Sequence, residues 1–131
     1  MNQIKAEVVK IEKIERLHHL TLALNKQKLY MVTLELPTAV EIGTRLTLSF
    51  KSTNIAISTT FQRGITIQNQ LKAKITAIEH GKILTSLSLD IEGFNLESIV
   101  STNASRRLNL KIGDRPFALI NETQISVVAS L

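Results

Sequence analysis

Apolar and polar positions alternate along most of the chain. Leu20, Leu22 and Leu24 fall on one side with Thr21 and Ala23 between them, and Leu87, Leu89 and Ile91 do the same around Ser88 and Asp90. A period of two marks a half-buried β-strand. Leu46, Leu48 and Phe50 predict a further strand, and Ala118-Leu119-Ile120 its counterpart near the end. The segments Ile4 to Ile14 and Leu71 to Ile83 also alternate, but slip phase once, at Val8-Val9 in the first. One extra residue in a strongly bent strand produces such a slip, as a bulge does in a small barrel. Helical signals are short. Pro37-Thr38-Ala39-Val40-Glu41 places proline at a first helical position, and Thr102 to Leu108 offers a polar cap followed by one to two turns.

The pattern occurs twice. Asn2-Gln3-Ile4-Lys5-Ala6 returns as Asn69-Gln70-Leu71-Lys72-Ala73, an offset of 67 residues. Ile11-Glu12 returns as Ile78-Glu79 at the same offset. The glycine turns Ile42-Gly43-Thr44 and Ile112-Gly113-Asp114 align at 70 instead, which predicts three extra residues around Glu92-Gly93-Phe94. Each copy reads as three strands, a short helix, a glycine turn and two strands. The expected fold is all-β: two tandem five-stranded barrels of the oligonucleotide/oligosaccharide-binding (OB) type, each with one short helix. Residues 1–60 form the first and 61–131 the second, with a linker over Ser58 to Gly64. A unit of roughly 60 residues has a small core and is marginal alone, so the halves are expected to pack on each other or on another chain.

Composition narrows the function. The net charge of +5 favours anionic partners. Aromatic residues make up only 4%, a thin supply for stacking single-stranded bases, so direct nucleic-acid binding is disfavoured. Cysteine is absent, which removes disulfides and thiolate metal sites. No apolar run reaches membrane-spanning length, and the start lacks a basic region followed by an apolar stretch, so a cytoplasmic location is expected. His18, His19 and His80 lack matching carboxylate spacing and read as surface residues, and Arg106-Arg107 as an exposed helix face. No Ser-His-Asp order, glycine-rich phosphate loop or paired carboxylate motif supports catalysis.

The stretch Ile65-Thr66-Ile67-Gln68-Asn69-Gln70-Leu71-Lys72-Ala73, with Ile112-Gly113-Asp114 and Ala118-Leu119-Ile120, resembles the molybdopterin-binding (Mop, or molbindin) domain, also called TOBE. The first half fits the same frame, from Asn2-Gln3-Ile4-Lys5-Ala6 to Lys51-Ser52-Thr53-Asn54-Ile55-Ala56-Ile57. The resemblance implies a di-Mop protein that binds molybdate or tungstate where domains and subunits meet. It further implies a homo-oligomer, a dimer or higher, and a separate DNA-binding or transporter component as a further partner. No organic cofactor is implied. The family's opening segment corresponds here to Thr66, Ile67, Gln68 and Asn69, and its closing segment to Lys51, Ser52 and Thr53. Asn121 and Thr123, in the second closing segment, are weaker candidates. Two departures stand out. The family's opening arginine is Gln68 here, and the second closing lysine is Asn121.

The residue types suit the ligand. A tetrahedral dianion needs several inward donors and partial neutralisation, and Lys51-Ser52-Thr53 offers one ammonium, two hydroxyls and backbone amides. Outside the family frame the same string is an ordinary solvated turn. Asn2-Gln3 and Asn69-Gln70 are equally suited to holding backbone at strand entry. Three readings stay open: an oxyanion-binding protein for storage, homeostasis or sensing; a degenerate dimerisation or regulatory module that no longer binds ligand; and a basic OB-type nucleic-acid binder.

Overall fold

A computed structural model describes residues 2–36 and 39–128. Its first half contains β1 (Asn2–Ile14), β2 (Leu17–Leu24), β3 (Gln27–Thr33), β4 (Arg45–Phe50), a 3-10 turn (Ser52–Asn54) and β5 (Ala56–Ser58). The second contains β6 (Asn69–Lys72), β7 (Lys74–His80), β8 (Leu84–Ile91), β9 (Phe94–Ser101), α1 (Thr102–Leu108), β10 (Phe117–Ile120), a 3-10 turn (Glu122–Gln124) and β11 (Ser126–Val127). The chain is thus mostly β, as the alternation requires. Leu20, Leu22, Leu24, Leu87, Leu89 and Ile91 are all fully buried, with Thr21, Ala23, Ser88 and Asp90 alternating between them. Each buried side chain of this size contributes about 1.5–3 kcal/mol of burial free energy.

The phase slip in the opening strand is a bulge. The β1–β2 register shifts between Val8 and Lys10, and the β7–β8 register between Ile75 and Ala77. At each bulge the opening strand receives the glycine turn. Val8 N–H donates to Thr44 O and Gly43 N–H to Val8 O, both at 2.8 Å. In the second half Ile75 N–H donates to Asp114 O at 2.9 Å and Gly113 N–H to Ile75 O at 2.8 Å. Gly43 and Gly113 have φ of +97° and +95°, a conformation that strongly favours glycine.

Three expectations need correction. The sheets do not close into tandem barrels. One five-stranded sheet runs β11-β4-β1-β2-β3, and two three-stranded sheets run β5-β10-β6 and β7-β8-β9. The opening strand of the second half breaks at Ala73, whose N–H turns to Pro116 O at 3.0 Å. The last strands are also exchanged: β5 pairs with β10, Ala118 opposite Ile57, and β11 pairs with β4, Val127 opposite Leu48. Second, the three extra residues do not lie at Glu92-Gly93-Phe94. The β2–β3 and β8–β9 hairpins both have two-residue loops, closed by Leu24 opposite Gln27 and Ile91 opposite Phe94. The added length falls after β9, in the stretch that holds α1. Third, Pro37 and Thr38 of the first proposed helix lie outside the described residues, and Ala39 to Glu41 are irregular.

The second helix forms where expected, one residue inside its cap. Ser101, not Thr102, is the cap, its Oγ accepting from Ala104 N–H at 3.1 Å. Thr102 instead anchors the helix inward, donating to Gly81 O at 2.8 Å and lying 2.9 Å from the Thr85 hydroxyl. Arg106 and Arg107 face solvent in the last turn, where cations suit the helix dipole.

Candidate functional site

Paired carboxamides join the two halves. Asn2 Nδ2 donates to Glu97 O and Glu97 N–H donates to Asn2 Oδ1, both at 2.8 Å. Asn69 does the same to Tyr30, with bonds of 2.7 and 2.8 Å. Asn2 and Asn69 are repeat equivalents, and so are Tyr30 and Glu97. Each copy therefore clamps the third strand of the other. Asn69 is 1% exposed, with its side-chain oxygen and nitrogen both taken by Tyr30 backbone. Gln70 is similarly occupied, accepting from Gln62 N–H at 2.8 Å and donating to Gln62 O at 2.7 Å.

The exchange of last strands brings the two closing segments face to face. Asn54 Nδ2 donates to Gln124 Oε1 at 2.8 Å, and Ser126 lies opposite Ser49 in the β4–β11 ladder. Between these segments is a cleft of about 180 Å³ lined by Ser49, Phe50, Lys51, Asn54, Thr123, Gln124 and Ser126. It presents one ammonium, three hydroxyls and two carboxamides, with no carboxylate in its wall. Among the described residues Lys51 makes no ion pair. This donor set can solvate a small oxyanion without an internal anion competing at the ammonium.

The remaining sequence candidates are dispersed. Ser52 points away from that cleft's lining, its Oγ donating to Glu97 Oε1 at 3.0 Å. Thr53, Thr66 and Asn121 are exposed. Ile67 and Gln68 line a separate cleft of about 370 Å³ with Phe61, Gln62, Arg63, Ile65 and Gln70. Among the described residues no hydrogen bond joins Lys51, Ser52 or Thr53 to Thr66, Ile67 or Gln68. Lys51 is instead brought together with Thr123.

Sequence reasoning missed several residues. Ser49, Asn54, Gln124 and Ser126 complete the Lys51 cleft but carry no distinctive spacing. Arg63, read as linker chemistry, shares a cleft with Gln68, the position where the family arginine is missing. Glu97 and His19 were also overlooked as links between halves. Glu97 Oε2 accepts from Ser86 Oγ at 2.7 Å while Oε1 takes Ser52, and the hydrogen bonds from Ser86 and Ser52 hold its carboxyl below the usual carboxylate range. In the equivalent junction His19 Nε2 lies 2.7 Å from Glu122 Oε2, and its ring stacks on Tyr30 with centroids 6.1 Å apart. Glu12 Oε1 sits 3.6 Å from the other ring nitrogen. His19 is thus a contact across the halves rather than a solvated surface residue. No group of three His, Asp or Glu among the described residues is arranged to hold a metal. No helix among them is long and apolar enough to cross a membrane.

This duplicated, mostly β fold with its asparagine clamps defines the class. The family model for the TOBE domain matches residues 65–127. A probable molybdenum-pterin-binding protein of Haemophilus influenzae is 41% identical over 64 residues, which cover 48% of this chain and 93% of that protein. Molybdenum-pterin-binding protein 1 of Clostridium pasteurianum is 33% identical over 66 residues, 50% of this chain and 97% of its own. The chain belongs to the TOBE-domain family that includes these proteins. Each of these relatives has the length of one repeat, whereas the present chain carries two. The crystal structure of the cytoplasmic molybdate-binding protein ModG with molybdate bound superposes with a TM-score of 0.86, covering 98% of this chain and 96% of that one. At 22% identity this likeness defines the fold of the whole tandem.

Proposed function

We propose that the chain binds molybdate or tungstate in the cleft between its two closing segments, as a cytoplasmic protein for storage, homeostasis or sensing, and that it catalyses no reaction. One observation carries the reading: Lys51 stands in a cleft with hydroxyl and carboxamide donors from both halves and no carboxylate in the wall. Hydrogen bonds from a cation to an oxyanion are the strong kind, and hydroxyls and amides complete the shell of a tetrahedral dianion. Relatives that carry molybdenum-pterin binding in their names, and the likeness to a molybdate-binding protein, support the same ligand. Chains associate as dimers or higher multiples in this reading, and a transporter or DNA-binding component is a further partner.

Isothermal titration with molybdate, tungstate, sulfate and phosphate tests it. Molybdate or tungstate is expected to bind at least tenfold more tightly than sulfate, and Lys51→Ala to remove most of that binding. Equal affinity for sulfate, or binding unaffected by Lys51→Ala, contradicts it. A second reading is favoured by one observation: each junction between the halves already holds a carboxylate, Glu97 in one and Glu122 in the other. A degenerate dimerisation or regulatory module would bind no oxyanion at all, and its role in cells would survive Lys51→Ala.

A further inference from the structure

Glu97 lies where three elements of the two halves converge. Its two carboxylate oxygens each accept one hydroxyl, from Ser52 of the first closing segment at 3.0 Å and from Ser86 of β8 at 2.7 Å. The Asn2 clamp fixes its backbone through two bonds of 2.8 Å, while the side chain itself stays exposed. The carboxylate is therefore held by a cradle whose donors would equally serve a free oxyanion: two hydroxyls, one from each half.

The repeat supplies an independent comparison. The equivalents of Ser86 and Ser52 are His19 and Glu122, and these meet at 2.7 Å. Each junction thus contains one carboxylate facing a donor across the halves. In one it comes from the third strand and in the other from the closing segment. The same arrangement is reached from opposite partners, with the internal anion kept and its carrier changed.

We propose that Glu97 is a built-in competitor for the oxyanion: its carboxylate occupies the Ser52–Ser86 cradle, which is a second tetrahedral-dianion site that opens when that carboxylate is neutralised or moved aside. The inference rests on the oxyanion reading of the Lys51 cleft. Ligand entry exchanges one anion for another on the same hydroxyls, and Glu97, being exposed, can swing into solvent at small cost. The wild-type chain then holds the cradle closed at low oxyanion concentration without any ligand present.

The test is titration of wild type, Glu97→Gln and the control Glu7→Gln with molybdate and with sulfate, each variant first checked for a native thermal melt. Glu7 is an exposed carboxylate on β1, opposite Ala23 and Arg45 and outside both junctions, so it reports the effect of net charge alone. Glu97→Gln is expected to add one equivalent of bound oxyanion per chain, or to tighten binding at least tenfold, with Glu7→Gln unchanged. Adding Ser86→Ala to Glu97→Gln should abolish the gain. Wild-type binding that Glu97→Gln leaves unaltered overturns the competitor while sparing the Lys51 site. Binding by Glu97→Gln but not by wild type supports the competitor and removes the wild-type reading. Equal gains from Glu97→Gln and Glu7→Gln, a gain that survives Ser86→Ala, or no binding by any protein, overturn the proposal.

Discussion

The junction at Glu97 and the junction at His19 occupy equivalent places in the duplicated chain, yet they are built from different chemistry. In the first, a carboxylate on β9 accepts two serine hydroxyls. In the second, a carboxylate on the closing segment meets an imidazole that stacks on Tyr30 and faces Glu12. The frame around them is conserved between the copies: an asparagine clamp, a bulge and a glycine turn. Duplication therefore preserved the means of holding the halves together and let the polar groups between them diverge. The Lys51 cleft follows from that divergence, since its ammonium comes from one copy while the second closing segment has Asn121 in the lysine position.

The comparison breaks most easily at the asparagine clamps. Asn69→Ala leaves the Tyr30 N–H and C=O without partners, and is expected to cost about 2–4 kcal/mol in urea unfolding. Asn2→Ala should cost about 1–2 kcal/mol, since Asn2 begins its strand and is more open to water, 7% exposed against 1% for Asn69. Equal and negligible losses would mean that the clamps do not join the halves. The glycine turns should behave alike: Gly43→Ala and Gly113→Ala each lose about 1–2 kcal/mol through positive φ, since an added Cβ meets nothing within 4 Å at either position. A large difference between the two would show that the turns are not equivalent.

The junctions themselves should differ more subtly. His19→Ala is expected to destabilise by about 1 kcal/mol, and Ser86→Ala by a few tenths because its bond is exposed. Acid sharpens the contrast at Glu97. Its folded carboxyl is held below the usual range by the Ser86 and Ser52 hydroxyls, so the unfolded chain takes up the proton first. The stabilisation is present above the ordinary carboxylate value and is lost as pH falls through the lower folded one. Glu92 acts in the same direction, its carboxylate accepting Lys26 N–H and the Gln27 side chain. Urea midpoints measured downward from neutral pH should therefore fall less steeply in Glu97→Gln than in wild type.

Much of the frame was legible in the residues. Alternation located the strands, the Val8-Val9 slip marked the bulge, and Gly43 and Gly113 marked the turns that dock there. Partner choice was not legible. A short segment such as Ala56–Ser58 carries a period of two but no record of which copy it pairs with, and duplicated sheets offer similar edges. The exchange of β5 and β11 decides which side chains share a cleft, so it also hid the meeting of Lys51 with Thr123. The Asn-Gln repeats were visible as letters, but their role depended on which backbone lay opposite. The hairpin loops were misjudged because Glu92-Gly93 looks like an insertion, whereas positive φ at both residues makes it a tight two-residue turn.

Anomalous scattering at the molybdenum edge, from crystals grown with molybdate, addresses the central claim most directly. A peak within hydrogen-bond reach of Lys51 Nζ and the Thr123 hydroxyl is the expected result. An empty Lys51 cleft at saturating molybdate, with or without a peak elsewhere, would contradict it.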